Sequence, residues 1–350
     1  MHALSATAWG FLAGLALAAG AGTPGSATRP EQQVNHDGRP LPPLPKIDKP
    51  ILFNTPEADK VLEAMQVFPK DNPWNEDISQ RPVHPDSDKM IRRAGPDKRL
   101  AWNLDMCFVI VPPDQPKVDV KLTAYADESD KGPYPVPDNG PIEDWPLNGV
   151  PLEKIQREGR GDRHLLVVDP HNGMLFEFYC ARRTDKGWEA SCEATFDLRS
   201  NKLRAKGWTS SDAAGLPVFP AAVRYDECER GKVEHALRVT FRQTRQEFVY
   251  PATHYASRLK DADVPAMGQR LRLKADVDVS RFPKHAQAIA YALKKYGMFV
   301  ADNGGDWRIS IAPDGRIKDL DSLRQLKGGN FEVIQTTGEN EGPRAKKAER

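Results

Sequence analysis

Proline and glycine set the limits on this chain: 30 Pro and 26 Gly are spread along its 350 residues. Proline removes a backbone donor and glycine weakens helix interiors, so long uninterrupted helices are disfavoured over most of the length. What remains is many short elements joined by turns, the pattern of sandwiches and barrels.

Side-chain periodicity points the same way. Cys107 to Val111 is a continuous apolar run, as expected of a buried strand, and Val118 to Tyr125 alternates as a strand with one wet face does. Strands are expected over 163–169, 174–181 and 187–196, with His171-Asn172-Gly173 as the hairpin turn between the first two. Further strands are expected over 233–241, 247–250, 269–275, 298–301, 307–311 and 331–334. Short helices fit 57–66, 87–94 and 221–229. The best helix is 284–296, where Ala286, Ile289, Ala290, Leu293 and Tyr296 make one apolar stripe and Gly297 stops it. Residues 126–160 and 199–220 read as long polar loops, which are usually functional or mobile. The fold class expected is mainly β, a sandwich or jelly roll with a few decorating helices. The alternative is an α+β domain with the 284–296 helix across one sheet.

Residues 1–27 suit a signal peptide, because Ala8 to Gly22 is a short uncharged apolar run followed by small residues. That places the mature chain outside the cytoplasm, secreted or periplasmic. Residues 28–50 read as a proline-rich spacer, 51–336 as one β-rich domain and 337–350 as a disordered charged tail. The 50 Lys and Arg nearly balance 49 Asp and Glu, so no basic excess favours nucleic acid as a partner. No second long apolar stretch is present, so no membrane span is expected after signal removal. An even count of four cysteines in an exported chain favours disulfides, Cys180 with Cys192 across a hairpin and Cys107 with Cys228 by elimination; buried free thiols are the alternative. Their spacing matches no common zinc pattern, and no metal or cofactor is expected.

Four clusters carry candidate chemistry. In Gly161-Asp162-Arg163-His164, His164 stands at a strand start and suits a proton-transfer group or a structural histidine bonded to a loop carbonyl. In Glu234 to Thr240, period two puts His235 in an apolar row and Arg238 in a polar one, where its fork can hold an anionic or hydroxyl-rich ligand or where it is a solvated or salt-bridged face residue. In Tyr250 to Tyr255, His254 and Tyr255 follow a strand end. In Ala301 to Trp307, Asp302, Asn303 and Trp307 surround a Gly-Gly turn, which makes a plain hairpin or a cleft rim. Asp127, Glu128 and Asp130 add loop carboxylates of no specific spacing, and no GxSxG, HExxH, P-loop or dinucleotide fingerprint appears in a supporting context.

Pro73 to Asn75, Tyr125 to Asp130, Gly161 to His164, Gly207 to Pro217, His235 to Arg238 and Tyr296 to Gly304 together resemble a family of exported bacterial proteins that carries no settled activity. The resemblance implies a single integrated domain, and the cysteines lie outside its shared pattern. The function expected from export, β-rich patterning and strand-end His, Arg and Trp groups is a carbohydrate-active enzyme, a polysaccharide lyase or glycoside hydrolase. His164, His254 and Asp302 would be catalytic. Arg163, Arg238, Trp208, Tyr255, Asn303 and Trp307 would bind a polysaccharide or cell-envelope glycan. The alternative is a non-catalytic glycan-binding or structural envelope protein.

Overall fold

The computed structural model describes residues 33–146, 149–336 and 338. The expected signal peptide, 1–27, and the expected charged tail from 337, apart from residue 338, lie outside the described residues. The chain runs through β1 (Ile51–Leu52), α1 (Pro56–Ala64), α2 (Ser87–Ala94), β2 (Ala101–Leu104), β3 (Phe108–Ile110), β4 (Val120–Leu122) and α3 (Leu152–Arg157). It continues with β5 (Leu165–Asp169), β6 (Met174–Tyr179), β7 (Arg182–Thr184), β8 (Gly187–Ala190), β9 (Cys192–Asp197) and α4 (Tyr225–Arg230). It closes with β10 (Leu237–Phe241), β11 (Arg270–Leu273), α5 (Lys284–Lys295), β12 (Met298–Asn303), β13 (Arg308–Ile311) and β14 (Phe331–Val333).

Strand outweighs helix, and the strands form three mixed sheets. Their orders are β1-β3-β5-β6-β9, β14-β11-β12-β10-β13-β2 and β4-β8-β7. The pairs β3–β5, β4–β8, β10–β12 and β13–β2 are parallel. A jelly roll is antiparallel throughout, so this pairing does not make one. Helix α5 packs on β11 and on α4.

Burial explains why β5 reads LLVVD without alternation. Leu166 and Val168 enter the main core, which draws on both large sheets, while Leu165 and Val167 enter a second core with Tyr134, Phe178 and Trp188. A strand covered on both faces has no wet side to encode. α1 starts where the Thr55 side chain accepts from the Ala58 N–H, with Pro56 at its first position. α5 ends at Gly297, whose φ of 68° suits glycine; a Cβ there would sit 2.2 Å from the Leu271 carbonyl.

Several elements differ from expectation. The 187–196 run breaks at Ser191 into β8 and β9, which belong to different sheets. Residues 247–250 form no strand: Phe248 makes one isolated bridge to Met267, and the neighbouring Pro265 has no N–H to extend a ladder. The 126–160 loop holds α3 and a 3-10 turn at Ala126–Glu128. Residues 33–50 lie against the domain, with Asn35, Leu41 and Ile47 buried and Asn35 bonded to Glu234 at 2.9 Å.

The disulfide expectation is corrected. All four cysteines are free thiols. Cys192 pairs with Tyr179 across the β6–β9 ladder, so the next residue, Cys180, falls out of step with it and turns off the strand at φ 55°. The Cys192 thiol donates to the Ser210 carbonyl at 3.2 Å instead. Cys107 precedes β3 and Cys228 sits within α4, both buried and unbridged.

Candidate functional site

The segment Thr209–Ala213 is the hub on which the sequence-distant candidates converge. Its turn is self-bonded: the Ser210 hydroxyl donates to the carbonyls of Asp212 (2.9 Å) and Leu216 (2.6 Å). Gly215, at φ 73°, completes it, and a Cβ there would stand 2.0 Å from Thr253 Oγ1 and 2.6 Å from the Trp208 carbonyl. No other residue fits that approach without displacing backbone.

Strands of both large sheets grip this segment. From β6, Glu177 accepts the Ser211 hydroxyl at 2.8 Å, and also the N–H groups of Val218 and Phe219. From β10, the Arg238 guanidinium holds Asp212 in a two-point ion pair and donates to Ser310 Oγ at 2.6 Å. From β12, Asp302 Oδ2 accepts the Ala213 N–H at 3.3 Å. At the entry to β5, His164 Nε2 donates to the Ser211 carbonyl at 2.9 Å while Nδ1 donates to Glu143 at 2.9 Å. In the loop after residue 250, His254 Nδ1 donates to the Ala213 carbonyl at 2.7 Å.

These bonds assign protonation. Both nitrogens of His164 face acceptors, so the ring is an imidazolium. Burial opposes that charge, but the Glu143 carboxylate outweighs it and raises the pKa to about 10. Burial also opposes the charge on Arg238, and Asp212 more than restores it, holding the guanidinium above its ordinary value. Asp302 goes the other way: crowding by neighbouring atoms, then the Asp212 charge, push it up to about 7 against the pull of Arg238. Burial likewise lifts Glu177 to about 7, although the Phe219 and Val218 N–H groups and Ser211 oppose it. Asp105, with Glu143 adding to its burial, rises to about 7.

A cavity of about 270 Å³ opens beside the hub, lined among others by Tyr125, Asp162, Tyr179, Ser211, His254, Asp302 and Asn303. With Nδ1 committed to a carbonyl, His254 Nε2 is left with no protein partner among the described residues. Asp302 and His254 thus hold the N–H and the C=O of one residue, Ala213, and line one cavity. A carboxylic acid that titrates near neutrality beside a free imidazole nitrogen can donate and accept protons. Among the described residues, no group of three or more His, Cys, Asp and Glu side chains is placed to hold a metal ion.

The remaining sequence candidates divide. Asn303 lines the cavity, its side-chain oxygen accepting from Thr244 at 2.8 Å. Tyr255 is exposed and stacks on His254 with the rings 9° from parallel. Trp208 lies outside the cavity lining, under the Arg204 guanidinium. Arg163 spends its guanidinium on the carbonyls of Ala181, Glu158, Ile155 and Gln156. Trp307 is not at a rim: it is fully buried against Phe241 and Phe331, its indole N–H donating to the Ala94 carbonyl at 3.0 Å. The Gly-Gly turn beside it is a plain connection between β12 and β13, and Trp307, at φ 56°, packs into the core from its end.

Sequence reading missed Asp105, Glu143, Glu177 and Tyr179. Only Glu177 left a signal, a lone carboxyl inside the apolar run MLFEFY of β6, where a buried acid demands partners.

Comparison of the chain with family models, with curated proteins and with solved structures finds no match in any of the three. The site's own geometry therefore carries the functional argument.

Proposed function

We propose that the protein is an exported carbohydrate-active enzyme, a glycoside hydrolase or polysaccharide lyase, whose reaction centre is the cavity at Asp302 and His254. One observation carries this reading: an acid lifted to about 7 and an imidazole with a free Nε2 are bonded to the same residue and line the same cavity. In hydrolysis Asp302 protonates the leaving glycosidic oxygen, and His254 takes the proton of the attacking water. In elimination His254 takes the proton next to the sugar carboxylate, and Asp302 again serves the leaving oxygen. Tyr125, half exposed, and Tyr179 offer ring faces to a sugar. His164, Arg163 and Arg238 support the site by positioning it, since their donors are used within the protein. Secretion follows the amino-terminal pattern. Among the described residues no helix is long and apolar enough to cross a membrane.

That internal use of donors also favours a second reading, a glycan-binding protein without turnover. A panel of plant, algal and bacterial polysaccharides separates the two. The enzyme reading expects new reducing ends or unsaturated sugars from the wild type, lost in Asp302→Asn and His254→Ala. Binding without products, or turnover unchanged in both variants, refutes it.

A further inference from the structure

The Asp302 cavity carries more in its wall than two proton-transfer groups. Asp162 reaches it from the segment before β5 and is held at two points: its carbonyl accepts the Cys180 N–H at 2.8 Å, and its exposed carboxylate accepts the Tyr179 hydroxyl at 3.3 Å. Tyr179 is the last residue of β6, so the sheet fixes where that carboxylate stands. Asn303, the last residue of β12, also lines the cavity and is exposed. Thr244 takes its side-chain oxygen, which leaves the amide N–H groups without a protein partner among the described residues.

The wall therefore combines an oriented acceptor with an open donor. Its acids are Asp162 and Asp302, and among the described lining residues there is no lysine or arginine. The cations behind the wall are already matched, Arg238 by Asp212 and His164 by Glu143. A sugar carboxylate or sulfate in this cavity meets the Asp162 carboxylate with no such cation beside it, and like charges in close contact oppose binding. An ammonium only donates and leaves the Asn303 amide unmet. A hydroxyl donates and accepts, so neighbouring hydroxyls satisfy both groups. Half-exposed Tyr125 adds a ring face for the apolar side of the sugar.

We propose that the ring bound beside Asp302 and His254 is an uncharged pyranose, whose hydroxyls donate to Asp162 and accept from Asn303, with Tyr179 as the positioning residue of Asp162. The proposal rests on the glycan reading and narrows it to hydrolysis, because elimination takes a proton next to a sugar carboxylate and so needs a uronate in this cavity. The glycosidic C–O bond breaks as the Asp302 proton goes to the leaving oxygen. Water gives hydroxide to the anomeric carbon and its proton to His254, and solvent carries a proton from His254 back to Asp302.

The test is calorimetric titration of the full chain with hexamers matched in linkage and differing in charge: cellohexaose against its glucuronate counterpart, mannohexaose against mannuronate, and galacturonate against its carboxyl-reduced form. The His254→Ala variant, which keeps both acids, serves where the wild type turns a hexamer over. At about pH 8, above the ordinary histidine range, the pair that fits should show the neutral hexamer bound at least about tenfold tighter. Asp162→Asn is isosteric and keeps the backbone bond to Cys180; it should weaken the neutral hexamer about tenfold, leave the uronate no weaker, and so collapse the ratio. Tyr179→Phe should shift the ratio the same way, and the double variant should lose no more than Asp162→Asn alone. A uronate bound as tightly as its neutral match, no measurable binding of any neutral hexamer, or a ratio unchanged in Asp162→Asn overturns the proposal. Neutral hexamers bound with this ratio but not cleaved refute the enzyme reading and leave this one standing. Unsaturated products from the uronates do the reverse.

Discussion

Replacing Asp212 by alanine leaves the Arg238 guanidinium buried with Ser310 as its remaining side-chain hydrogen-bond partner. Asp212 is 0% and Arg238 3% exposed, and their two-point contact includes a 2.9 Å bond from Nε. The backbone of residue 212 keeps its own bonds, with its carbonyl accepting from Ser210, so the change isolates the carboxylate. Breaking a buried pair from one side costs about 3–5 kcal/mol, because the surviving charge is neither solvated nor paired. Against a total stability of about 5–15 kcal/mol that is a large share. With a urea slope of about 3 kcal/mol/M, the midpoint should fall by about 1–1.7 M. The double variant Asp212→Leu with Arg238→Met removes both charges and should recover much of the loss. Equilibrium urea unfolding followed by tryptophan fluorescence reads all three proteins. A loss below about 1 kcal/mol in Asp212→Ala, or a double variant no better than the single, would refute the argument that this pair clamps the hub.

Stability should fall as pH rises from about 5 to about 9. The folded chain raises Asp105, Glu177 and Asp302 to about 7, Glu193 to about 8 and His164 to about 10, so it binds protons that the unfolded chain has released. The carboxyl contribution is complete below their ordinary range and lost through 7–8; that of His164 is complete below 6.5 and lost towards 10; a urea midpoint that climbs over this interval would contradict the assignment. For the cysteines, the unreduced protein should show four titratable thiols after denaturation, and slow labelling of Cys107, Cys192 and Cys228 when folded, since burial lifts all three thiols. A count of two or zero would restore the disulfide expectation.

Periodicity made much of the framework legible. α5 falls where its apolar stripe and Gly297 placed it, and β5, β6 and their turn follow the apolar runs. Sheet membership was not legible: nothing local tells Gly187 to Phe196 that Ser191 hands the chain from one sheet to another. The site was partly legible through groups with intrinsic chemistry. His164, Arg238, His254 and Asp302 do meet around residues 209–213. Trp307 does not, because a turn does not say which of its flanking side chains faces the core, and this one is buried with its indole N–H on the Ala94 carbonyl. The acids that set the electrostatics, Asp105, Glu143 and Glu177, were hidden because a carboxyl's role depends on burial and partners that only the tertiary fold supplies.

Five consecutive residues, Thr209 to Ala213, are tied to β6 on one side and to β10 and β12 on the other. They act as a rivet through two plates. Loosening either plate shifts the peptide that spaces Asp302 from His254, so the proposed proton-transfer geometry and the docking of the sheets share a single fastening and are expected to fail together on heating.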